Sequence, residues 1–164
     1  MSRTRVLLTA GLLAGLAGLL SGCMGGMPAA MPGLNRQLEA SGGNRSPSLG
    51  VRWLATIQQR GGREQVVLID LERQRPVPVP GLNRPDALPI SVSVDARGER
   101  IALVRQWEGR SELVLYRRAM QSLQLLPMAA GAIPTAVNLQ ADGRQLAVQV
   151  SRDGLWQIDL LSLP

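Results

Sequence analysis

Beyond residue 50, the hydrophobic residues occur in short runs separated by polar turns, and this pattern predicts β-strands. Val66–Ile69 and Ile101–Val104 are apolar runs of the length expected of strands that are buried on both faces. The dipeptides Gly61-Gly62, Glu108-Gly109 and Asp153-Gly154 supply the positive φ angles that two-residue hairpins need. The pattern indicates no helix after residue 22, so we predict an all-β domain.

The strand pattern repeats with a period of 45 to 48 residues. A shift of 47 aligns Gly62 with Gly109, and a further shift of 45 aligns Gly109 with Gly154. The apolar positions that align are Leu54 with Ile101, Ala55 with Ala102 and Ala147, Val66 with Leu113 and Ile158, and Leu68 with Leu115 and Leu160. Repeats of about 40 to 50 residues with several strands each are typical of propeller blades. We therefore predict a partial, propeller-like repeat of about three antiparallel sheets.

The segment Asp142–Val148 resembles the TolB-type propeller repeat, in which an Asp-Gly turn precedes an apolar strand. Asp95–Gly98 resembles it with an altered turn, and the Ser-Pro that usually precedes the Asp is absent from both. The resemblance covers residues 50–164. It implies a propeller fold and a role in cell-envelope maintenance or assembly. No partner-binding motif of that family matches, so the resemblance assigns no site residues here.

The predicted strands do not complete a ring. Only residues 90–127 have the pattern of a full four-stranded blade, because the first unit lacks a clear first strand and the last lacks a fourth. Pro76, Pro78 and Pro80 suit an outer edge strand, since proline cannot donate to a central ladder. Closed propellers need about four blades, and open strand edges are normally covered. We expect two copies to pair as a homodimer, in a six-bladed ring, or else a compact sandwich-like monomer.

The N-terminal residues 1–22 have the pattern of a signal peptide, with Arg3 and Arg5 before an apolar run from Val6 to Leu20. Such a run forms a helix of about 22 Å, short of the roughly 30 Å hydrocarbon core of a bilayer. Leu20-Ser21-Gly22-Cys23 resembles the lipobox of bacterial lipoproteins, and this resemblance implies cleavage before Cys23 and lipid attachment to its thiol. Cys23 is the single cysteine, so no disulfide within the domain is expected.

The residues after the cysteine are predicted to connect the lipid to the domain. Residues 24–33 are rich in glycine and proline, and we assign 23–49 as a lipidated flexible tether and 50–164 as the repeat domain. In the sorting behaviour of lipoproteins, Asp after the cysteine favours the inner membrane. The residue here is Met24, so we expect a periplasm-facing lipoprotein, in the outer membrane rather than the inner.

The composition argues against most catalytic chemistry. The chain has no histidine or lysine, and its 18 basic residues are all arginine. The commonest general bases and amine nucleophiles are therefore missing, as are the usual zinc ligands. Asp95, Asp142 and Asp153 occupy predicted turns, where the side chain caps its own backbone. We predict no enzyme, cofactor or metal site, although a carboxylate hydrolase is a distant alternative.

The sequence thus favours a lipid-anchored, non-catalytic binding module of the cell envelope, with an envelope protein as partner. The alternative is recognition of an anionic cell-wall polymer or lipid through the arginine excess, which gives a net charge of +6. Nucleic acid is not expected as a partner of an exported protein. Trp53, Trp107 and Trp156 fall at non-equivalent repeat positions, so each is predicted to be a buried packing residue.

Overall fold

Three antiparallel sheets succeed one another along the chain in a computed structural model, which describes residues 28–164. Sheet 1 contains β1 (Asn44–Leu49), β2 (Trp53–Arg60), β3 (Arg63–Asp70) and β4 (Arg75–Val77). Sheet 2 contains β5 (Ala87–Val94), β6 (Arg100–Trp107), β7 (Arg110–Arg117) and β8 (Ser122–Leu126). Sheet 3 contains β9 (Ile133–Leu139), β10 (Gln145–Arg152) and β11 (Leu155–Ser162). The prediction of an all-β fold with three repeated sheets is confirmed.

The predicted hairpin turns connect the second and third strands of each sheet. In sheet 3, Asp153 and Gly154 have φ angles of 50° and 79°, the left-handed region that a two-residue turn requires. The register from this turn is uninterrupted, from Arg152 opposite Leu155 to Gln145 opposite Ser162. The proline-containing β4 is an outer edge strand, as predicted.

The sheets pack face to face, and each interface has its own apolar core. The core between sheets 1 and 2 is built from alternate residues of β2, β3, β5, β6 and β7 and includes the buried Tyr116. The core between sheets 2 and 3 takes the opposite faces of β6 and β7 together with Leu146, Val148 and Val150 of β10. Sheet 2 is therefore covered on both faces, which explains the continuous apolar runs in its strands.

The first strands of the sheets are joined by serine side chains. Ser46 and Ser48 of β1 each accept a hydrogen bond from a backbone N–H of β5, at 3.0 Å. Ser91 and Ser93 of β5 accept the corresponding bonds from β9, at 3.2 and 2.8 Å. The position equivalent to Ser46 and Ser91 is Ala136 in β9, which has no hydroxyl to continue the series. The repeat pattern of side-chain hydrogen bonds thus ends with sheet 3.

The structure corrects the expectation of a tether over residues 23–49. Pro32–Ala40 forms a helix, α1, and Asn44–Leu49 is the first strand of sheet 1. Leu34 and Leu38, one turn apart, pack on the outer face of sheet 1. The predictions of no helix after residue 22 and of a missing first strand are therefore wrong. Sheet 1 has four strands, and α1 covers its outer face.

The expected signal peptide, residues 1–22, and the expected lipid attachment at Cys23 lie outside the residues that the structure describes. Within residues 28–164, α1 is a helix of 9 residues, and no helix there has the length and apolar character needed to cross a bilayer.

Candidate functional site

The outer face of sheet 3 carries a row of exposed apolar side chains on β11. Trp156, Ile158 and Leu160 alternate along the strand and are 66%, 64% and 78% exposed. They lie opposite Ser151, Gln149 and Ala147 of β10, on the face that points away from sheet 2. We call these three residues the terminal apolar row. Single exposed apolar residues are ordinary on a protein surface, but a contiguous group marks an interaction surface.

Two residues of the terminal apolar row, Ile158 and Leu160, occupy repeat positions that are buried in the other two sheets. Ile158 is equivalent to Val66 and Leu113, and both of these are 1% exposed. Leu160 is equivalent to Leu115, which is fully buried because sheet 3 packs on it. The outer face of sheet 3 therefore carries apolar residues at the positions where another sheet packs on sheets 1 and 2. The opposite end of the stack differs, because α1 covers the outer face of sheet 1.

The edge of sheet 3 formed by β11 is also open. Sheets 1 and 2 each continue into a fourth strand, whereas β11 is the last strand of its sheet. The edge strands β1, β5 and β9 each contain a proline and a register irregularity. Of the outer edges, β4 has 3 residues and contains Pro76, and β8 has 5 residues and is followed by Pro127. In the described part of the chain, β11 alone is an edge strand of 8 residues with neither proline nor bulge. Such an edge is a template for a further strand.

A groove between sheets 1 and 2 is the second candidate. It has a volume of about 650 Å³ and is lined by Gln59, Gly62–Gln65 and Asn83–Leu88. Arg84 pairs with Asp86 through both guanidinium contacts, at 2.9 and 2.8 Å, and its guanidinium lies 4.9 Å from the ring centre of Trp107. The hydrogen bonds from Arg84 and from the Trp107 indole hold the pKa of Asp86 well below its usual range. Arg84, Asp86 and Glu64 are already held in ion pairs, which leaves fewer free charged groups for a ligand, so it is the weaker candidate.

Most of the arginine side chains with close contacts are bound by carboxylates of the same chain. Arg52 lies 2.5 Å from Asp70, whose side chain is 1% exposed, and this hydrogen-bonded pair lowers the pKa of Asp70 to about 2. The other pairs are Arg45 with Glu64, Arg84 with Asp86, Arg105 with Glu112, Arg118 with Glu99, and Arg152 with Asp159. These ion pairs are spread over all three sheets, whereas other arginines, such as Arg63 and Arg97, have no carboxylate partner within residues 28–164.

Of the three predicted turn aspartates, all lie in turns, and the side chains of Asp95 and Asp142 cap them as expected. Asp95 Oδ1 accepts a hydrogen bond from the Glu99 backbone N–H at 2.8 Å, and Asp142 Oδ1 accepts one from Arg144 at 2.9 Å. Among residues 28–164, the structure contains no group of three acidic, histidine or cysteine side chains that could hold a metal ion.

The tryptophans do not all follow the prediction. Trp53 is buried, with the guanidinium groups of Arg52 and Arg118 at 5.5 and 4.4 Å from its ring centre. Trp156 is 66% exposed, contrary to the prediction. It belongs to the terminal apolar row, although the equivalent residues of the other two sheets, Glu64 and Ser111, are polar. The repeat alignment identifies the positions of this row, but its exposure is seen only in the structure, where no sheet within residues 28–164 covers Ile158 and Leu160.

The fold is similar to that of solved β-propeller proteins. TolB from Acinetobacter baumannii matches 71% of this chain with a TM-score of 0.56 and 15% identity, over 29% of its own length. A putative TolB from Agrobacterium tumefaciens matches 74% of this chain with a TM-score of 0.60 and 7% identity, over 46% of its length. The propeller domain of the Trilobed protease from Pyrococcus furiosus, described as having an open velcro topology, matches 74% with a TM-score of 0.53 and 15% identity, over 42% of its length.

The three sheets are TolB-type propeller blades. This confirms the resemblance on which the repeat assignment was based, at the level of fold. The chain spans less than half the length of each of these TolB and propeller chains. No family sequence model matches the chain, and a comparison with curated proteins found no match. In this partial propeller, the uncovered side of the third blade is the candidate functional site.

Proposed function

We propose that this protein is a non-catalytic, protein-binding module of the cell envelope, anchored by a lipid on Cys23, and that its third blade holds the partner. The observation that carries the proposal is the exposure of Ile158 and Leu160 at positions where the first two blades are buried. The TolB-type fold supports the same function class, since its resemblance implies envelope maintenance or assembly.

The chemistry of the third blade fits a protein better than an anionic polymer. Its exposed row is apolar and is flanked by the neutral side chains of Gln149 and Ser151. A surface of this kind buries apolar side chains of a partner and places its polar atoms at the rim. Arg152, the arginine of β10, is paired with Asp159 of β11, so this blade gives less support to recognition of an anionic polymer or lipid.

The carboxylates give equally little support to a hydrolase. A pair of carboxyl groups must be free to exchange protons with the substrate and with water. Asp70 and Asp86 are each held by an arginine, which favours their charged forms, and Asp95 is committed to its turn. The proposal is therefore a binding function without catalysis.

The binding part of the proposal is tested by co-purification from the native envelope. The full chain, the double variant I158S/L160S and the control L125S are compared after chemical cross-linking. Leu125 is 60% exposed and lies opposite Val114, on the face of the second blade that is turned toward the first, so L125S tests the loss of an exposed leucine at another surface. We expect one stoichiometric adduct with a different protein from the wild type and L125S, and its loss with the double variant. Equal adducts from all three would refute a role for the third blade.

The anchor is tested separately by the intact mass of the protein from membranes. The proposal predicts a mature chain that begins at Cys23 and carries acyl chains, which hold it at the membrane because two or more chains bind where one does not. C23A should abolish this modification, and the third blade of the variant should still form the cross-linked adduct with the partner protein. An unmodified thiol at Cys23, or a mature chain that begins elsewhere, would contradict the anchor but not the binding surface.

A further inference from the structure

The open edge of the third blade presents a defined set of backbone groups. In a two-residue hairpin the residues that flank the turn, Arg152 and Leu155, form a hydrogen-bonded pair. Since bonding directions alternate along a strand, Leu155 and every second residue after it direct their N–H and C=O groups toward β10. Trp156, Ile158 and Leu160 then direct theirs outward, where the described residues provide no strand to receive them.

We propose that β11 pairs antiparallel with β11 of a second copy of this chain, with Ile158 on the two-fold axis. Ile158 then lies opposite Ile158 of the other copy, and Trp156 lies opposite Leu160. Each of these outward-facing residues exchanges a reciprocal pair of backbone hydrogen bonds with its counterpart. The third blades of both copies become one continuous sheet, in the manner of strand addition to an exposed edge.

The side chains of β11 are self-complementary in this register. On the inner face, Gln157 lies opposite Asp159 of the other copy, so an amide meets each carboxylate. On the outer face every apolar residue of the row lies opposite an apolar one, and such cross-strand pairs stabilise a sheet. A pairing with the two-fold axis moved by one residue, to position 159, would place Asp159 opposite Asp159, and like charges in directly opposed positions are destabilising.

The second copy binds β11 in a symmetric contact, rather than in a head-to-tail ring. In a head-to-tail ring the third blade of one copy packs on the outer face of the first blade of the next. That face is already covered by Leu34 and Leu38 of α1. A two-fold contact through β11 leaves α1 in place, and a symmetric interface of this type closes without further growth.

The dimer extends the proposed function, on which this consequence rests. Pairing through the edge does not cover the outer face of the third blades. It instead joins the two terminal apolar rows across the axis into one larger surface for the partner protein. Pairing of single strands buries less area than the roughly 1,200 Å² of a stable standard interface. We therefore expect association that depends on concentration and is best detected by cross-linking in the membrane.

The register is tested by single cysteines in the full chain, in intact cells treated with a mild thiol oxidant. In the proposed register the Cα atoms of I158C and its counterpart are about 5.5 Å apart, within the range of a disulfide. Two copies of W156C, displaced from one another by four residues, are about 13 Å apart and cannot be bridged. Wild-type protein, with Cys23 alone, is the control. Positions 156, 158 and 160 are all exposed, so single cysteines there, including L160C, are compatible with folding.

We expect a disulfide-linked dimer from I158C, none from W156C, L160C or wild type alone, and a mixed dimer when W156C and L160C are co-expressed. Adding Q157E to I158C should reduce the yield, because it places a second carboxylate against Asp159 of the other copy while keeping an acceptor for Arg152. Equal dimers from I158C, W156C and L160C, or no dimer from I158C, would overturn the inference. Loss of the partner adduct in I158S/L160S would be unaffected by either result, so the two proposals fail separately.

Discussion

Leu115 and Leu160 occupy the same position in consecutive blades, but only Leu115 is buried. Replacing each by alanine therefore compares the stability cost of one substitution in two environments. Leu115 is fully buried between the second and third blades, so L115A removes its transfer free energy and leaves a cavity. Such changes cost about 3–4 kcal/mol. Leu160 is 78% exposed, so L160A forfeits only about a fifth of the roughly 2–3 kcal/mol gained by burying a leucine, or about 0.5 kcal/mol.

The assay is thermal unfolding of the two variants and the wild type, at protein concentrations low enough to keep the chain monomeric. For a domain of this size, each kcal/mol shifts the midpoint by about 2–4 °C. L115A should lower it by about 6–15 °C, and L160A by about 2 °C or less. A similar loss in both variants would mean that Leu160 is covered within the monomer. The terminal apolar row would then not be available to a partner.

Two further changes test local features of the fold. G98A should destabilise the domain far more than G109A. Both glycines have positive φ, but a Cβ at Gly98 would lie 2.6 Å from the ring of Trp53, whereas a Cβ at Gly109 would meet open space. Urea titration of the two variants compares their stabilities directly. Asp70 has a native pKa of about 2, below its ordinary 3.8, because Arg52 favours the carboxylate. Its stabilisation is present above about pH 4 and is lost as the pH falls toward 2. D70N should therefore lower the melting midpoint at pH 7 and weaken its decline below pH 4, and an unchanged decline would refute this role.

The repeats could be predicted from the sequence because they depend on residues that are close together in the chain. Gly62, Gly109 and Gly154 mark turns whose backbone angles exclude most other residues, and the apolar runs beside them alternate with a fixed register. A strand of the second blade is buried on both faces, so its sequence alone indicates its environment. The fold class and the number of sheets followed from these features.

The helix α1 and the strand β1 could not be predicted in the same way. α1 presents only Leu34 and Leu38 to sheet 1, and a helix of 9 residues owes its stability to that packing rather than to its own propensity. β1 contains Pro47 and mainly polar residues. It is an edge strand of sheet 1, and its serines accept hydrogen bonds from β5 of sheet 2. Both elements depend on contacts with residues distant in the sequence.

The candidate site escaped the sequence reasoning for a related reason. The pattern of Ile158 and Leu160 is that of a buried strand, and the same pattern in Leu113 and Leu115 does indicate burial. What distinguishes the third blade is the absence of a later sheet over this face in the described chain, which is a property of the assembled fold. The ion pairs are likewise set by residues on other strands of the same sheet, such as Arg105 with Glu112 and Arg152 with Asp159.

The most direct test of the account places a photo-cross-linking amino acid at Ile158 of the full chain in living cells. The same residue at Leu125, which has a similar exposure, is the control. The account predicts adducts from position 158, to a second copy and to one envelope protein, and none of comparable yield from position 125. Equal adducts from both positions, or from neither, would contradict the claim that the third blade is the binding surface.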